Sequence, residues 1–212
     1  MFLMRISSVL LCLSCATGIN SQSFYVAISQ YPQLSSFASF YQNNFPVAGQ
    51  LLTNSLTEPQ TVLVPNNDAF IRFERENGYS ITALSSAELS SLMQYHILVG
   101  SLTAANFSGT RGFTAPSLLT GEQYNNRSAG SALSSSFPSG TNVNGQVVFI
   151  QSRLQSGSPP AGLESLEVRS GLSSSANLTA LDGVWDGGRF QMIDRYDRCN
   201  RSTRHETDDP DF

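Results

Sequence analysis

Charge is what this 212-residue sequence has least of: Lys, Arg, Asp and Glu together make up 13% of it. No lysine-rich run occurs, the arginines are scattered, and the net charge is −4. Nucleic-acid binding needs clustered Lys and Arg to displace counterions from phosphates, so a nucleic-acid partner is excluded. Cysteine is scarcer still, at three. Cys12 and Cys15 fall within residues 1–21, which read as a secretory signal peptide. Arg5 gives the positive start, Ile6 to Cys15 is a short apolar run, and Ala16 and Gly18 offer a small-residue cleavage site. Cleavage leaves Cys199 alone, which excludes an intramolecular disulfide and makes stability depend on the core. A lone thiol outside the cell either pairs between chains or stays free in a floppy tail, and a reducing against a non-reducing gel separates the two. Long apolar runs are missing too. The leader's run is too short for a bilayer, and no later stretch approaches the roughly 20 apolar residues of a spanning helix. The final Asp208-Asp209-Pro210-Asp211-Phe212 lacks the hydrophobic tail of a lipid-anchor signal. The expected localisation is therefore secreted, extracellular or wall-associated.

Catalytic equipment is thin as well. A hydrolase needs a nucleophile, a base and an orienting acid. The domain has one histidine, His96, with only Asp68 and Glu88 near it in sequence, and no Gly-x-Ser-x-Gly string. No enzyme is expected. His96, His205 and Cys199 form no metal-ligand spacing, and Asp208, Asp209 and Asp211 suit a solvated tail better than a Ca²⁺ site. No cofactor or metal is expected.

What is present is a 40% apolar chain whose polar cover is Ser, Asn, Thr, Gln and Gly. The length suits one domain, taken as 22–197, followed by a disordered charged tail at 198–212. Four Asn-x-Ser/Thr sequons make Asn106, Asn126, Asn177 and Asn200 candidate glycan sites. From Ser23 to Asn54 apolar residues recur at helix-like spacings, broken by Pro32 and Pro46, which predicts two or three short helices. Thr61-Val62-Leu63-Val64 is a β-branched run stopped by Pro65, as a buried strand would be. Asn66 and Asn67 then offer N-cap oxygens, Asp68 suits the positive end of a helix, and Gly78 is a natural stop. Ser85 and Glu88 form a capping box, and Leu89, Leu92, Met93 and His96 share a helical stripe that runs straight into Ile97-Leu98-Val99. Beyond Gly109 the pattern is short strands and long loops. Asn144-Gly145 predicts a two-residue hairpin turn before Val147-Val148-Phe149-Ile150, and another strand is expected at Arg189 to Ile193.

Three of these strings, in order, carry a resemblance. Thr61-Val62-Leu63-Val64-Pro65-Asn66-Asn67-Asp68-Ala69-Phe70 is similar to the first signature of the fasciclin domain family. Leu92-Met93-Gln94-Tyr95-His96-Ile97-Leu98-Val99-Gly100, followed by Leu102, Ala104 and Phe107, resembles its Tyr-His segment. Gly187-Gly188-Arg189-Phe190-Gln191-Met192-Ile193-Asp194-Arg195 resembles its closing strand. Two departures stand out: Gln191 is at a position that is often His, and Tyr196-Asp197 replaces an apolar pair, so the closing strand is expected to be short. The resemblance implies an α+β fold, a wedge-shaped β-sandwich flanked by several short helices. It also implies an adhesive role toward cell-wall or matrix polysaccharide or a surface protein. Partner binding in adhesive relatives would map to Asn67, Asp68, Tyr95 and His96. A purely structural use of these residues, as helix-start and core groups, is the plainer alternative. The competing function is a carrier of small apolar molecules with a pocket between helices and sheet, under Phe70, Phe73 and Met93.

Overall fold

A computed structural model describes residues 22–53, 58–107, 111–121, 133, 135–152, 166–170 and 175–196. The leader, the charged tail, Cys199, His205, Asn126 and Asn200 lie outside the described residues. Helices come first, as the spacing implies: α1 (Phe24–Ser29), α2 (Ser35–Asn43) and α3 (Phe45–Thr53). Pro32 opens a short 3-10 turn ahead of α2 and Pro46 sits in the first turn of α3, where its missing N–H costs nothing. Strand β1 (Gln60–Pro65) is buried along its whole length and hands over to α4 (Asn67–Asn77). The N-cap of α4 is Asn66, whose side chain accepts from the Ala69 N–H at 2.9 Å. Gly78, at φ 74°, closes it in the left-handed conformation that glycine adopts without strain. The Ser85–Glu88 capping box forms at the start of α5 (Ser86–His96), and α5 passes without a break into β2 (Ile97–Val99).

After the short α6 (Ala104–Phe107) come β3 (Phe113–Pro116), β4 (Val147–Ser152), β5 (Leu166–Ser170), β6 (Ser175–Trp185) and β7 (Gly188–Ile193). The α+β class holds, but the expected two-layer sandwich does not. The seven strands follow one hydrogen-bonded order, β2-β1-β7-β6-β5-β4-β3. A bridge between Leu98 and Ser117 brings the two ends together into a near-closed barrel. Strand β6 makes the bend. Its first residues pair with β5 and the rest with β7, and register shifts between Leu178 and Gly183 take up the change of direction. Closure leaves the sheet ends little free edge for pairing with another chain.

The hairpin expected at Asn144-Gly145 is absent. Strand β4 pairs antiparallel with β3, from Phe113 opposite Ile150 to Pro116 opposite Val147, so the connection between them is long. Gly145 serves close approach instead: a Cβ there would fall 1.6 Å from the Ser117 carbonyl oxygen.

Side-chain alternation along β1 and β7 divides the core in two. Val62, Val64, Phe190 and Met192 face the helices and pack with Phe24, Phe37, Phe40, Phe73 and Met93. Leu63 and Ile193 face the barrel interior with Tyr95, Leu98, Phe107, Val148 and Ile150. Burial of one such large side chain contributes about 1.5–3 kcal/mol. Tyr196 ends the helix-side core. The closing strand is not cut short, since β7 has six residues, as β1 and β4 do, and Tyr196 beyond it folds back so that its ring meets Phe70, Phe73 and His96 edge-on. Its hydroxyl is buried with no hydrogen-bond partner among the described residues, and burial pushes it well above the usual phenol range. An orphaned donor costs about 1–3 kcal/mol. Tyr196→Phe, read by urea denaturation, should therefore leave the midpoint unchanged or raise stability by about 1 kcal/mol. A clear loss would mean that the hydroxyl has a partner in the native state.

Candidate functional site

The four candidate contact residues do not form one surface. Asn67 is half-buried and clamps the start of α2: its Oδ1 accepts from the Ser36 N–H at 2.9 Å, and its Nδ2 donates to the Pro32 carbonyl at 3.2 Å and the Ser35 hydroxyl at 3.1 Å. Tyr95 and His96 are 3% and 2% exposed, so neither can meet a partner. Successive positions at the end of α5 send Tyr95 to the barrel side and His96 to the helix side. His96 donates Nδ1–H to the Leu92 carbonyl at 2.8 Å, and burial lowers its pKa to about 4. The ring is neutral and sealed, which denies it the open cleft that general-base work requires. Only Asp68 is exposed, in the first turn of α4. One turn later on the same face stands Ile71, 63% exposed, and no large apolar side chain among the described residues is more so. Ala69 and Phe73 on the opposite side anchor the helix in the core. Sequence reasoning missed Ile71 because a lone exposed isoleucine reads as part of the apolar face.

In the region under Phe70, Phe73 and Met93, where the competing carrier reading puts its pocket, side chains of the helix-side core pack together. Phe73 and Met93 are buried, and Phe70 closes over them against Phe40 and Tyr196. A groove of about 530 Å³ lies elsewhere, beside the end of β2. Buried Val99 and Leu102 and half-buried Phe113 and Phe137 line it, with Asn106 and Ser139 among its exposed polar lining. The rings of Phe113 and Phe137 are 6.2 Å apart.

Two buried polar side chains fix the groove's 100–102 wall. Thr61 Oγ1 donates to the Gly100 carbonyl at 2.6 Å and accepts from the Leu102 N–H at 2.7 Å. Gln191, fully buried, donates Nε2–H to the Leu102 carbonyl at 2.9 Å and to Asp182 Oδ1 at 3.1 Å, while its Oε1 accepts from the Asp182 N–H at 2.8 Å. Asp182 Oδ1 also takes the Ala104 N–H at 3.0 Å. Gln191 thus ties the bulge of β6 to the segment that enters α6. Its departure from the family's frequent His marked it in the sequence, but its partners are 9 and 89 residues away.

Two sequons are described. Asn106 is exposed on the groove, and its Oδ1 accepts from Thr103 N–H at 2.8 Å and Oγ1 at 3.0 Å. Asn177 is half-buried, and its N–H and Nδ2 both donate to the Asp194 carboxylate at 2.8 Å, which engages the nitrogen a glycan would use. Among the described residues no three His, Cys, Asp or Glu side chains gather as metal ligands, and no helix is long and apolar enough to cross a membrane.

No curated protein matches the chain in sequence. The fold is similar to that of a solved FAS1 domain pair from the insect cell adhesion molecule Fasciclin I, with a TM-score of 0.51 at 17% identity. The alignment covers 77% of this chain and 44% of that one, so the chain spans less than half the length of the pair. At that identity the likeness establishes the fold alone. The sequence model of the Fasciclin domain matches residues 32–155, more than half of the 212, and with all three signature strings in its core elements this chain belongs to the fasciclin domain family.

Proposed function

We propose that the protein is an extracellular adhesion module that holds a surface or matrix partner through the solvent face of α4. The observation that carries the reading is Asp68 beside Ile71. A carboxylate and a freely exposed aliphatic side chain stand one turn apart on a helix rooted in the core, so little order is lost when they are engaged. Family membership supports the adhesive class, and the near-closed sheet argues against strand addition as the mode of contact. An aliphatic group next to a charge suits a protein surface, with an apolar pocket and a cation, better than a polysaccharide.

The test is capture of the secreted protein on wall or matrix fractions, with and without protease treatment of the fraction. Asp68→Ala and Ile71→Ser should each weaken capture about tenfold, a loss of about 1.4 kcal/mol, with both variants folded and the thermal midpoint of Asp68→Ala lowered only by the about 0.3–1 kcal/mol that a charge at a helix start contributes. Full capture by both variants would reject this face. Among the described residues the groove beside Val99 and Leu102 is the place that suits the carrier reading, since buried side chains pack below Phe70.

A further inference from the structure

We propose that the groove beside β2 is the seat of the chain's own glycan, attached to Asn106. Three observations converge on it. The sequon Asn106-Phe107-Ser108 places its asparagine on the groove itself, exposed. The Asn106 Oδ1 is fixed by the two hydrogen bonds from Thr103, which holds the amide in one orientation and leaves Nδ2 as the point of attachment. The groove matches a sugar in chemistry: the half-buried Phe113 and Phe137 give its lining aromatic surface for pyranose C–H groups, and Asn106 and Ser139 supply polar atoms for its hydroxyls. Its volume of about 530 Å³ falls in the range of small-ligand sites, about 300–1,000 Å³.

In the attachment step Nδ2 of Asn106 forms a bond to C1 of the reducing-end sugar of a lipid-diphosphate oligosaccharide. The C1–O bond to the diphosphate breaks, the lipid diphosphate leaves with that electron pair, and Nδ2 gives up one proton. The transferase of the secretory route performs the step. Once attached, the first sugars are held beside the groove at an effective concentration near the millimolar range of a short tether, so even weak stacking keeps them seated. Asn177, with Nδ2 engaged by Asp194 in the sheet, has no such seat.

The experiment secretes the chain from a eukaryotic host and compares it with Ser108→Ala, which abolishes the sequon and leaves Asn106 in place. Peptide mapping by mass spectrometry should find Asn106 occupied. The glycosylated protein should melt roughly 2–4 °C above Ser108→Ala. That gain should vanish in a Ser139→Trp background, where an indole introduced at an exposed position competes for the groove. The dye 1-anilinonaphthalene-8-sulfonate should bind Ser108→Ala and not the glycosylated form. A bare Asn106 would overturn the proposal. So would a gain in melting temperature that persists with Ser139→Trp, or equal dye binding by the two forms, which would return the groove to a carried apolar ligand. The proposal shares only secretion with the adhesion reading, and the two fail separately, because matrix capture is scored through Asp68 and Ile71 on the same proteins.

Discussion

Replacing Gln191 with leucine is expected to lower the free energy of unfolding by about 3 kcal/mol. The side chain is fully buried and satisfies three groups at once: the Leu102 carbonyl, the Asp182 N–H and the Asp182 carboxylate. Leucine fits a similar volume but bonds to none of them. The Leu102 carbonyl and the Asp182 N–H then lose these bonds where water enters poorly, at about 1–3 kcal/mol apiece. Asp182 adds to the loss. Its φ of 62° is unusual for a residue other than glycine, and the Gln191 bonds are part of what holds it there. Urea denaturation should show the midpoint falling with the slope unchanged, because the same surface is exposed on unfolding. Gln191→His, which restores a donor and an acceptor, should recover part of the loss. A leucine variant as stable as the parent would mean that Thr61 alone fixes the 100–102 wall, through its bonds to Gly100 and Leu102.

The contrast between Gln191 and Gly78 explains how much of the molecule could be read from its residues. Signals that act within one turn of the chain were legible. The Ser85–Glu88 box, the Gly78 stop, the Pro65 break and the passage of α5 into β2 all form as their local chemistry dictates. The closing Ile-Asp-Arg string was legible as a motif, although the work of Asp194, which binds the Asn177 N–H and amide, was not. Signals that depend on distant chain were misread. Asn144-Gly145 has the composition of a hairpin turn, yet the glycine is there because the Ser117 backbone presses against it. The sandwich became a near-closed barrel because β6 bends at its bulges and Ser117 meets Leu98, neither of which leaves a periodic trace. At the candidate site, Asn67 and Asp68 were placed correctly at a helix start, but side-chain alternation alone could not show that Tyr95 and His96 turn into opposite halves of the core. The groove was invisible for the same reason, since its lining joins Val99, Phe113 and Phe137 from three separate stretches.

Acidification should expose the burial of His96 directly. At neutral pH the ring is uncharged, its Nδ1–H spent on the Leu92 carbonyl, with the rings of Tyr95 and Tyr196 against it. Burial lowers its pKa from 6.5 to about 4, and the Leu92 bond opposes this only in part. The sign follows from proton counting. Below pH 6.5 the unfolded chain protonates this histidine while the folded chain does not, so falling pH favours unfolding. The contribution is complete above pH 6.5, declines through the window down to about pH 4, and amounts to about 3 kcal/mol across it. Urea midpoints measured between pH 7 and pH 5 should therefore fall in the parent protein. In His96→Gln, which cannot titrate, they should stay nearly flat even if the variant is less stable at every pH. Carboxylates as a class titrate mainly below this range, which is why the comparison stops at pH 5. Equal slopes in the two proteins would place His96 in contact with solvent, and its exclusion as a partner-binding or general-base residue would fall with that result.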